Sequence, residues 1–206
     1  MPKQKTYWDT FETPYQMGHQ KHRDYMLDVL RNKGVESLLD VGCGTGPVYE
    51  LLKEANDPMQ YKGTDYSYAM IEVAKSHFPE ADFEVQDARK LDEEDNSWDC
   101  VLLLHSLDHL NDYQAAIKEA ARVSKRYVCI VLWRSFVDEG TRLNDRNMYG
   151  KQEHEDPWED TFLQEYSREA LETEFEKNGL TIEQIAEGDT LNDEGKYNFL
   201  YLLRKQ

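Results

Sequence analysis

The sequence predicts an α/β fold built on a doubly wound sheet. Segments with strand-like and helix-like hydrophobic patterns alternate along most of the chain, as a series of βαβ units does. Two runs, "WDCVLLLHSL" and "YVCIVLW", are apolar at successive rather than alternate positions, the pattern of strands buried on both faces of a parallel sheet. The first strand-like run, "SLLDVG", leads directly into a glycine-rich turn and a helical pattern, "CGTGPVYELL".

In chain order, Met17–Arg31 carries Tyr25, Met26, Val29 and Leu30 at helical spacing, and Gly34 is placed to end that helix. "SLLDVG" is the first strand. A helix over Pro47–Lys53 follows, with Pro47 near its first position, where a missing N–H costs little. "QYKGTD" is a second strand, "YAMIEVAKSHF" a second helix and "DFEVQD" a short third strand. The run from Trp98 is the fourth strand. Asn111 is placed to N-cap a helix over Asp112–Val123, and Tyr127–Trp133 is the fifth strand. Ser167 is placed to cap the helix "REALETEFEKN", which Gly179 ends. "LTIEQIA" and "YNFLYLLRK", separated by the polar turn "EGDTLNDEG" and no helix, read as an antiparallel pair at one end of the sheet. The stretch 134–165 is polar, charged and aromatic, and it separates a strand from its expected helix. It reads either as a lid over a binding site or as an ordinary surface insertion. Residues 1–206 read as one domain, with 1–33 an N-terminal cap segment and helix.

Composition narrows the partners. The 24 Lys and Arg against 41 Asp and Glu give a net charge of −17, and the largest basic cluster is the small "SKRY" at Ser124–Tyr127. Binding to nucleic acid or to an anionic membrane needs a basic face, so neither is expected. No apolar run approaches the roughly 20 residues that span a bilayer, and the first residues lack an apolar signal-peptide core, so a cytoplasmic location is expected. Cys43, Cys100 and Cys129 are odd in number and include no CxxC pair. Neither a disulfide framework nor a metal site is expected from them.

The chemistry gathers after the first strand. Gly42, Gly44 and Gly46 alternate, whereas the dinucleotide fingerprint G-x-G-x-x-G would put its third glycine one residue later. Glycines let the backbone turn sharply and approach a ligand without a Cβ clash. Asp65 ends the second strand, 19 residues beyond Gly46, where a carboxylate accepts hydrogen bonds from two ribose hydroxyls. Asp87 ends the third strand. It is placed to accept a bond from an adenine amine, with a following backbone N–H reading a ring nitrogen. Alone, each acid is an ordinary turn former; in register at strand ends, they outline a nucleoside site.

With "LLDVGCGTG", "YKGTDYSYAMIEVAK", "FEVQDARKL" and "WDCVLLLHSLDHL" in place, the chain resembles the class I S-adenosylmethionine-dependent methyltransferases of the small methyltransferase-domain type. The likeness is specific over 35–131 and looser to residue 203. It implies a seven-stranded sheet of order 3-2-1-4-5-7-6 with strand 7 antiparallel, S-adenosyl-L-methionine as cofactor and S-adenosyl-L-homocysteine as product. By position it implies that Asp40, Gly42, Cys43 and Gly44 face the methionine part and that Asp65 binds the ribose. Tyr66 and Met70 then pack near the adenosine, Asp87 and Ala88 read the adenine, and His105 lies beside the cofactor, open to the substrate. The family often has a Gly-Gly turn before the fifth strand, and "SKRYVCIV" lacks it.

A methyl carbon on a sulfonium is already electrophilic, so the protein must mainly align a nucleophile with it. A hydroxyl or ammonium acceptor must also lose a proton, which a neutral His accepts. His105 and His109 are the candidates, and they share one face if the segment after His105 is helical. The alternative is that His109 only caps or packs. The family builds its substrate pocket from the N-terminal segment and the insertion after the fifth strand, which here points to Tyr15, Trp133, Arg134 and Tyr149 for a small-molecule methyl acceptor; simple packing of these aromatics is the alternative. The expected function is O- or N-methylation of a small molecule. A protein methyltransferase of the same fold and a non-catalytic cofactor-binding regulator are the rival readings.

Overall fold

The computed structural model describes residues 20–110, 112–132, 136, 141–144, 163–187 and 199–206. In chain order the elements are α1 (Lys21–Asn32), β1 (Ser37–Val41), α2 (Pro47–Glu54), β2 (Gln60–Asp65), α3 (Tyr68–His77), β3 (Asp82–Val85), β4 (Trp98–Leu104), α4 (Tyr113–Val123), β5 (Ser124–Leu132), β6 (Thr141–Asn144), β7 (Leu163–Tyr166), α5 (Arg168–Lys177), β8 (Leu180–Glu187) and β9 (Phe199–Lys205). Seven strands form one sheet in the order β3-β2-β1-β4-β5-β9-β8, while β6 and β7 form a separate antiparallel pair. The first five strands of the sheet run parallel, and β9 runs antiparallel to both β5 and β8. With the small pair set aside, this is the 3-2-1-4-5-7-6 order expected, its seventh strand reversed.

The two continuously apolar runs lie at the centre because only central strands are covered on both faces. In β4, Cys100, Leu102 and Leu104 join a core with Met26 and Leu30 of α1, Leu51 of α2 and Ile71 of α3. Val101 and Leu103 point the other way, toward Ile117 of α4 and Phe175 of α5. The same alternation in β1 sends Leu38 to the first layer and Leu39 and Val41 to the second. Asp40 must therefore point to the α1 side. All three cysteines are buried and unlinked by disulfides.

Local chemistry sets most boundaries. At the end of α1, Gly34 has φ +64° and donates its N–H to the Arg31 carbonyl at 2.9 Å, while Val35 N–H reaches back to the Leu30 carbonyl at 3.1 Å. These two bonds satisfy carbonyls the helix leaves unpaired. The hydroxyls of Ser67 and Ser167 accept the N–H groups of Met70 and Ala170 and so cap α3 and α5.

Several boundaries differ from the sequence reading. Gln20 is extended, so α1 begins at Lys21 rather than Met17; residues 17–19 lie outside those described. The cap of α4 is Asp112, not Asn111, because Asp112 is the residue whose carboxylate accepts the Ala115 N–H, at 3.1 Å. β3 ends at Val85, two residues before Asp87. β4 ends at Leu104, where His105 takes a left-handed φ of +55°, and only a 3₁₀ turn over Leu107–His109 follows. His105 and His109 therefore do not lie on one face of an α-helix.

The hairpin of β6 and β7 lies within the stretch read as an insertion. Its sequence gives no alternating apolar signal, and one residue roots it. The Tyr166 hydroxyl donates to the Leu107 carbonyl at 2.7 Å, both buried, and the Tyr166 ring meets Tyr113 edge-on with centroids 4.9 Å apart.

Gly63 illustrates how tightly the sheet is filled. It pairs with Asp40 on one side and Phe83 on the other. A Cβ there would lie 2.7 Å from Phe83 Cδ1 and 2.9 Å from Cys43 Sγ. Gly63→Ala is expected to lower unfolding stability by about 1–3 kcal/mol through overpacking, read from urea denaturation; an unchanged midpoint would contradict the packing described.

Candidate functional site

The glycine loop is fastened to β2 by backbone. The Thr64 carbonyl accepts both Gly42 N–H at 2.7 Å and Cys43 N–H at 2.9 Å. Gly42, Gly44 and Gly46 have φ of +82°, +56° and +87°, a region that costs any residue with a Cβ. Gly42 is doubly constrained, since a Cβ there would sit 2.3 Å from the Cβ of Ser106, just past the end of β4. Gly44 has open space around it, and its N–H donates to Asp65 Oδ2 at 2.9 Å. Asp65 Oδ1 accepts the Ser67 N–H at 2.8 Å. The carboxylate is thus held between the loop and the start of α3 at the carboxyl edge of the sheet. Burial pushes the Cys43 thiol well up, and the charges of Asp40 and Asp65 push the same way, so Cys43 remains a protonated packing residue.

Asp40 lies one layer below, 1% exposed, in a strand whose every residue is buried. Tyr61, on the next strand, donates its hydroxyl to Asp40 Oδ2 at 2.8 Å. Oδ1 is buried and has no hydrogen-bond partner among the described residues, and the same holds for Thr45 Oγ1 and Ser106 Oγ. Burial raises the Asp40 carboxyl to about 7, against the opposing pull of the Tyr61 hydrogen bond and of the Arg23 charge. The loop therefore carries unsatisfied acceptor and hydroxyl groups that a polar ligand would complete.

Two residues that the sequence reading missed complete this end. His22 and Arg23 open α1, yet they are 5% and 4% exposed. The His22 ring lies 4.8 Å, centroid to centroid, from the ring of His105, with the planes tilted by 49°. His105 is held by its own backbone, its N–H donating to the Val131 carbonyl at 2.8 Å. Burial, reinforced by Arg23 and opposed by Asp24, lowers His22 to about 4, so its imidazole is neutral at physiological pH. A signal existed: residues 22 and 23 continue the stripe of Met26 and Leu30 back by one helical turn, and a buried stripe that becomes polar at a helix start faces something other than core. His109 is half-buried in the 3₁₀ turn, its N–H on the Ser106 carbonyl.

Along the opposite side, Tyr66 is 53% exposed on the turn after β2 and Met70 is buried behind it. Asp87 lies in the turn after β3, its carboxylate filled by Arg89. Oδ1 accepts Arg89 N–H and Nε at 2.9 Å each, and Oδ2 accepts Nη2 at 2.7 Å. Burial pushes the Asp87 carboxyl up, but the Arg89 bonds outweigh it and hold the group below its usual range. Ala88 packs against the second core layer. Tyr15, Trp133, Arg134 and Tyr149, named as substrate residues, lie outside those described.

The groups that converge are an unpaired carboxylate oxygen with a buried guanidinium, then a carboxylate at the mouth of the loop, then a polar turn beyond the third strand. Such a sequence suits an elongated polar ligand. Residues 39–131 match the family model described as "Methyltransferase domain". The demethylmenaquinone methyltransferase of Thermotoga maritima is 30% identical over 106 residues, covering 52% of this chain and 46% of that protein. The 27-O-demethylrifamycin SV methyltransferase of Amycolatopsis mediterranei is 33% identical over 123 residues, covering 57% and 45%. The chain thus spans under half the length of either relative. Among solved structures, the magnesium protoporphyrin IX methyltransferase of Synechocystis superposes with a TM-score of 0.67 at 18% identity, over 91% of this chain and 80% of that one.

The raised Asp40 carboxyl has a definite sign. Its folded pKa of about 7 lies above the unfolded value of about 3.9, so the folded state is favoured below about pH 4 and loses that advantage as pH rises to 7. Asp40→Asn keeps an acceptor for Tyr61 and removes the titration. Between pH 4 and 8 its unfolding free energy is expected to fall by less than that of the wild type, measured by urea denaturation at each pH. Parallel curves would contradict this.

Proposed function

We propose that the chain is a class I methyltransferase, on the match of residues 39–131 to the methyltransferase-domain model, and that it transfers the methyl group of S-adenosylmethionine to an oxygen or nitrogen atom of a small molecule. The observation that carries this reading is the Asp65 carboxylate, fastened by Gly44 N–H beside three left-handed glycines. An acid there accepts from both hydroxyls of a ribose. The spacing of Gly42, Gly44 and Gly46 suits a loop that meets an amino-acid end rather than a pyrophosphate, for which the third glycine comes one residue early.

The residues fit this cofactor. Asp40 Oδ1 and Ser106 Oγ are buried polar atoms lacking partners among the described residues, and they flank the loop where the ammonium group would lie. Arg23 is a buried cation on the same side, suited to the carboxylate. Asp65 takes the ribose, Tyr66 and Met70 line the adenosine, and the turn of Asp87 and Ala88 reads the base. When bound, the cofactor supplies an electrophilic methyl carbon. The chain's part is to hold it, exclude water and align the acceptor, with His105 beside the transfer path. The names of the relatives, a demethylmenaquinone and a 27-O-demethylrifamycin enzyme, favour an organic small molecule. The stretch 134–165 serves as the substrate lid in this reading, its base fixed by Tyr166 to the turn that follows His105. Tyr15, Trp133, Arg134 and Tyr149 line the acceptor pocket.

Calorimetry with S-adenosylmethionine, S-adenosylhomocysteine and NAD tests the cofactor: the two sulfur compounds bind and NAD does not, and the reverse result ends the proposal. Asp65→Ala is expected to weaken binding of S-adenosylhomocysteine by about 1.5–3 kcal/mol, the range for hydrogen bonds to a charged group; unchanged affinity would remove Asp65 from the site. Incubation of metabolite extracts with isotope-labelled S-adenosylmethionine, read by mass spectrometry, identifies the acceptor.

A further inference from the structure

The contact between His22 and His105 joins two elements that are far apart in sequence. His105 stands where β4 ends, in a left-handed conformation that a β-carbon makes costly, and its neighbour Ser106 is pressed against Gly42. His22 comes from the first turn of α1 and is 5% exposed. Their rings are 4.8 Å apart and tilted by 49°, close enough for one imidazole to sense the charge of the other, and both lie on the glycine-loop side of the sheet. Core packing alone is a poor reason for this pair: an apolar residue at position 22 would fill the space without a polar group to satisfy.

We propose that His22 and His105 act as one electrostatically coupled pair, with His22 the positioning residue that holds the His105 imidazole as the proton acceptor for the methyl acceptor. The inference rests on the methyltransferase reading for its chemistry. His105 takes the proton of a hydroxyl group as the new O–C bond forms, or takes the proton of an ammonium group first so that the freed nitrogen lone pair forms the N–C bond; in either case the methyl carbon–sulfur bond breaks, leaving its electron pair on sulfur. One positive charge leaves the sulfur and one appears on the imidazole pair, so the net charge of the pocket is conserved. A neutral His22 ring in contact with His105 leaves that charge on the His105 imidazole, which suits the exchange.

Burial and the charges around it keep His22 neutral. On α1, Arg23 opposes protonation of His22 and Asp24 promotes it, with burial the larger effect. Arg23 in turn faces the buried Asp40, whose other charged neighbour is Asp65. Asp108 and His109 follow His105 in the 3₁₀ turn, Asp108 being buried near Tyr166.

The test is a pH titration of the histidine ring resonances by NMR, in the protein alone and with S-adenosylhomocysteine, for wild type, His22→Phe and His22→Asn. In the wild type, His105 is expected to titrate in two steps shared with His22. In both variants it should collapse to a single step, with its midpoint moved by about one pH unit, the scale at which two sites count as coupled. A His105 curve that is single-step in the wild type and superimposes in the variants overturns the proposal. Urea denaturation of the same variants, with one cooperative transition in each, shows that they are folded. If the wild type fails to bind S-adenosylhomocysteine but its histidines titrate as a pair, the functional reading falls and the coupled pair stands.

Discussion

The attachment of the glycine loop to β2 is the constraint on which the site depends. One carbonyl, that of Thr64, accepts two successive loop N–H groups, and the next residue's carboxylate accepts a third, from Gly44. Buried backbone donors need partners, and here the partners belong to the neighbouring strand rather than to the loop itself. The consequence is that the Asp65 carboxylate and the backbone of the glycine loop are set relative to one another by the register of β1 on β2, with Asp40 against Gly63 and Val41 against Thr64. Glycine is required where that geometry leaves no room: at Gly42 against Ser106, and at Gly63 against Phe83 and Cys43.

Beneath the loop lies polarity that the sheet would not tolerate for packing alone. Asp40 occupies a strand buried at every position, and Tyr61 satisfies only one of its two oxygens. Burial raises its carboxyl, and the Arg23 charge resists that rise. The start of α1 brings Arg23 and His22 over this acid and over His105. Unsatisfied buried groups cost stability and are often retained where a ligand completes them, which ties the energetics of this part of the fold to a polar site. A second tie comes from the small hairpin. Tyr166 donates to the Leu107 carbonyl, so the segment that follows β5 and the turn that follows β4 hold one position in common.

Most of the fold was legible in the sequence because periodicity and turn chemistry are local. Continuous apolar runs placed β4 and β5 at the centre, Gly34 and Gly179 marked helix ends by their left-handed φ, and Ser167 capped α5 by a hydroxyl in the right place. Boundaries failed where a tertiary contact decided them. β4 stops at Leu104 because His105 turns left-handed to meet β5 through Val131 and α1 through His22, and no pattern within "LLLHSLDHL" encodes either partner. Likewise Asp87 leaves the strand to clasp Arg89, and the β6–β7 hairpin forms in a stretch with no alternating signal because Tyr166 roots it elsewhere.

By itself, then, the sequence determined the alternation of elements, the sheet's centre, the glycine loop and the strand-end acid Asp65, since each is written in spacing along one short segment. The tertiary structure alone decided that His22 and Arg23 are buried beside His105 and Asp40, that one Asp40 oxygen has no hydrogen-bond partner among the described residues, and that His105 and His109 do not share a helical face. The physical reason is one of range. Hydrogen-bonded strands and caps depend on neighbours a few residues away, whereas burial, charge and ring contact depend on which distant elements the sheet brings to its carboxyl edge.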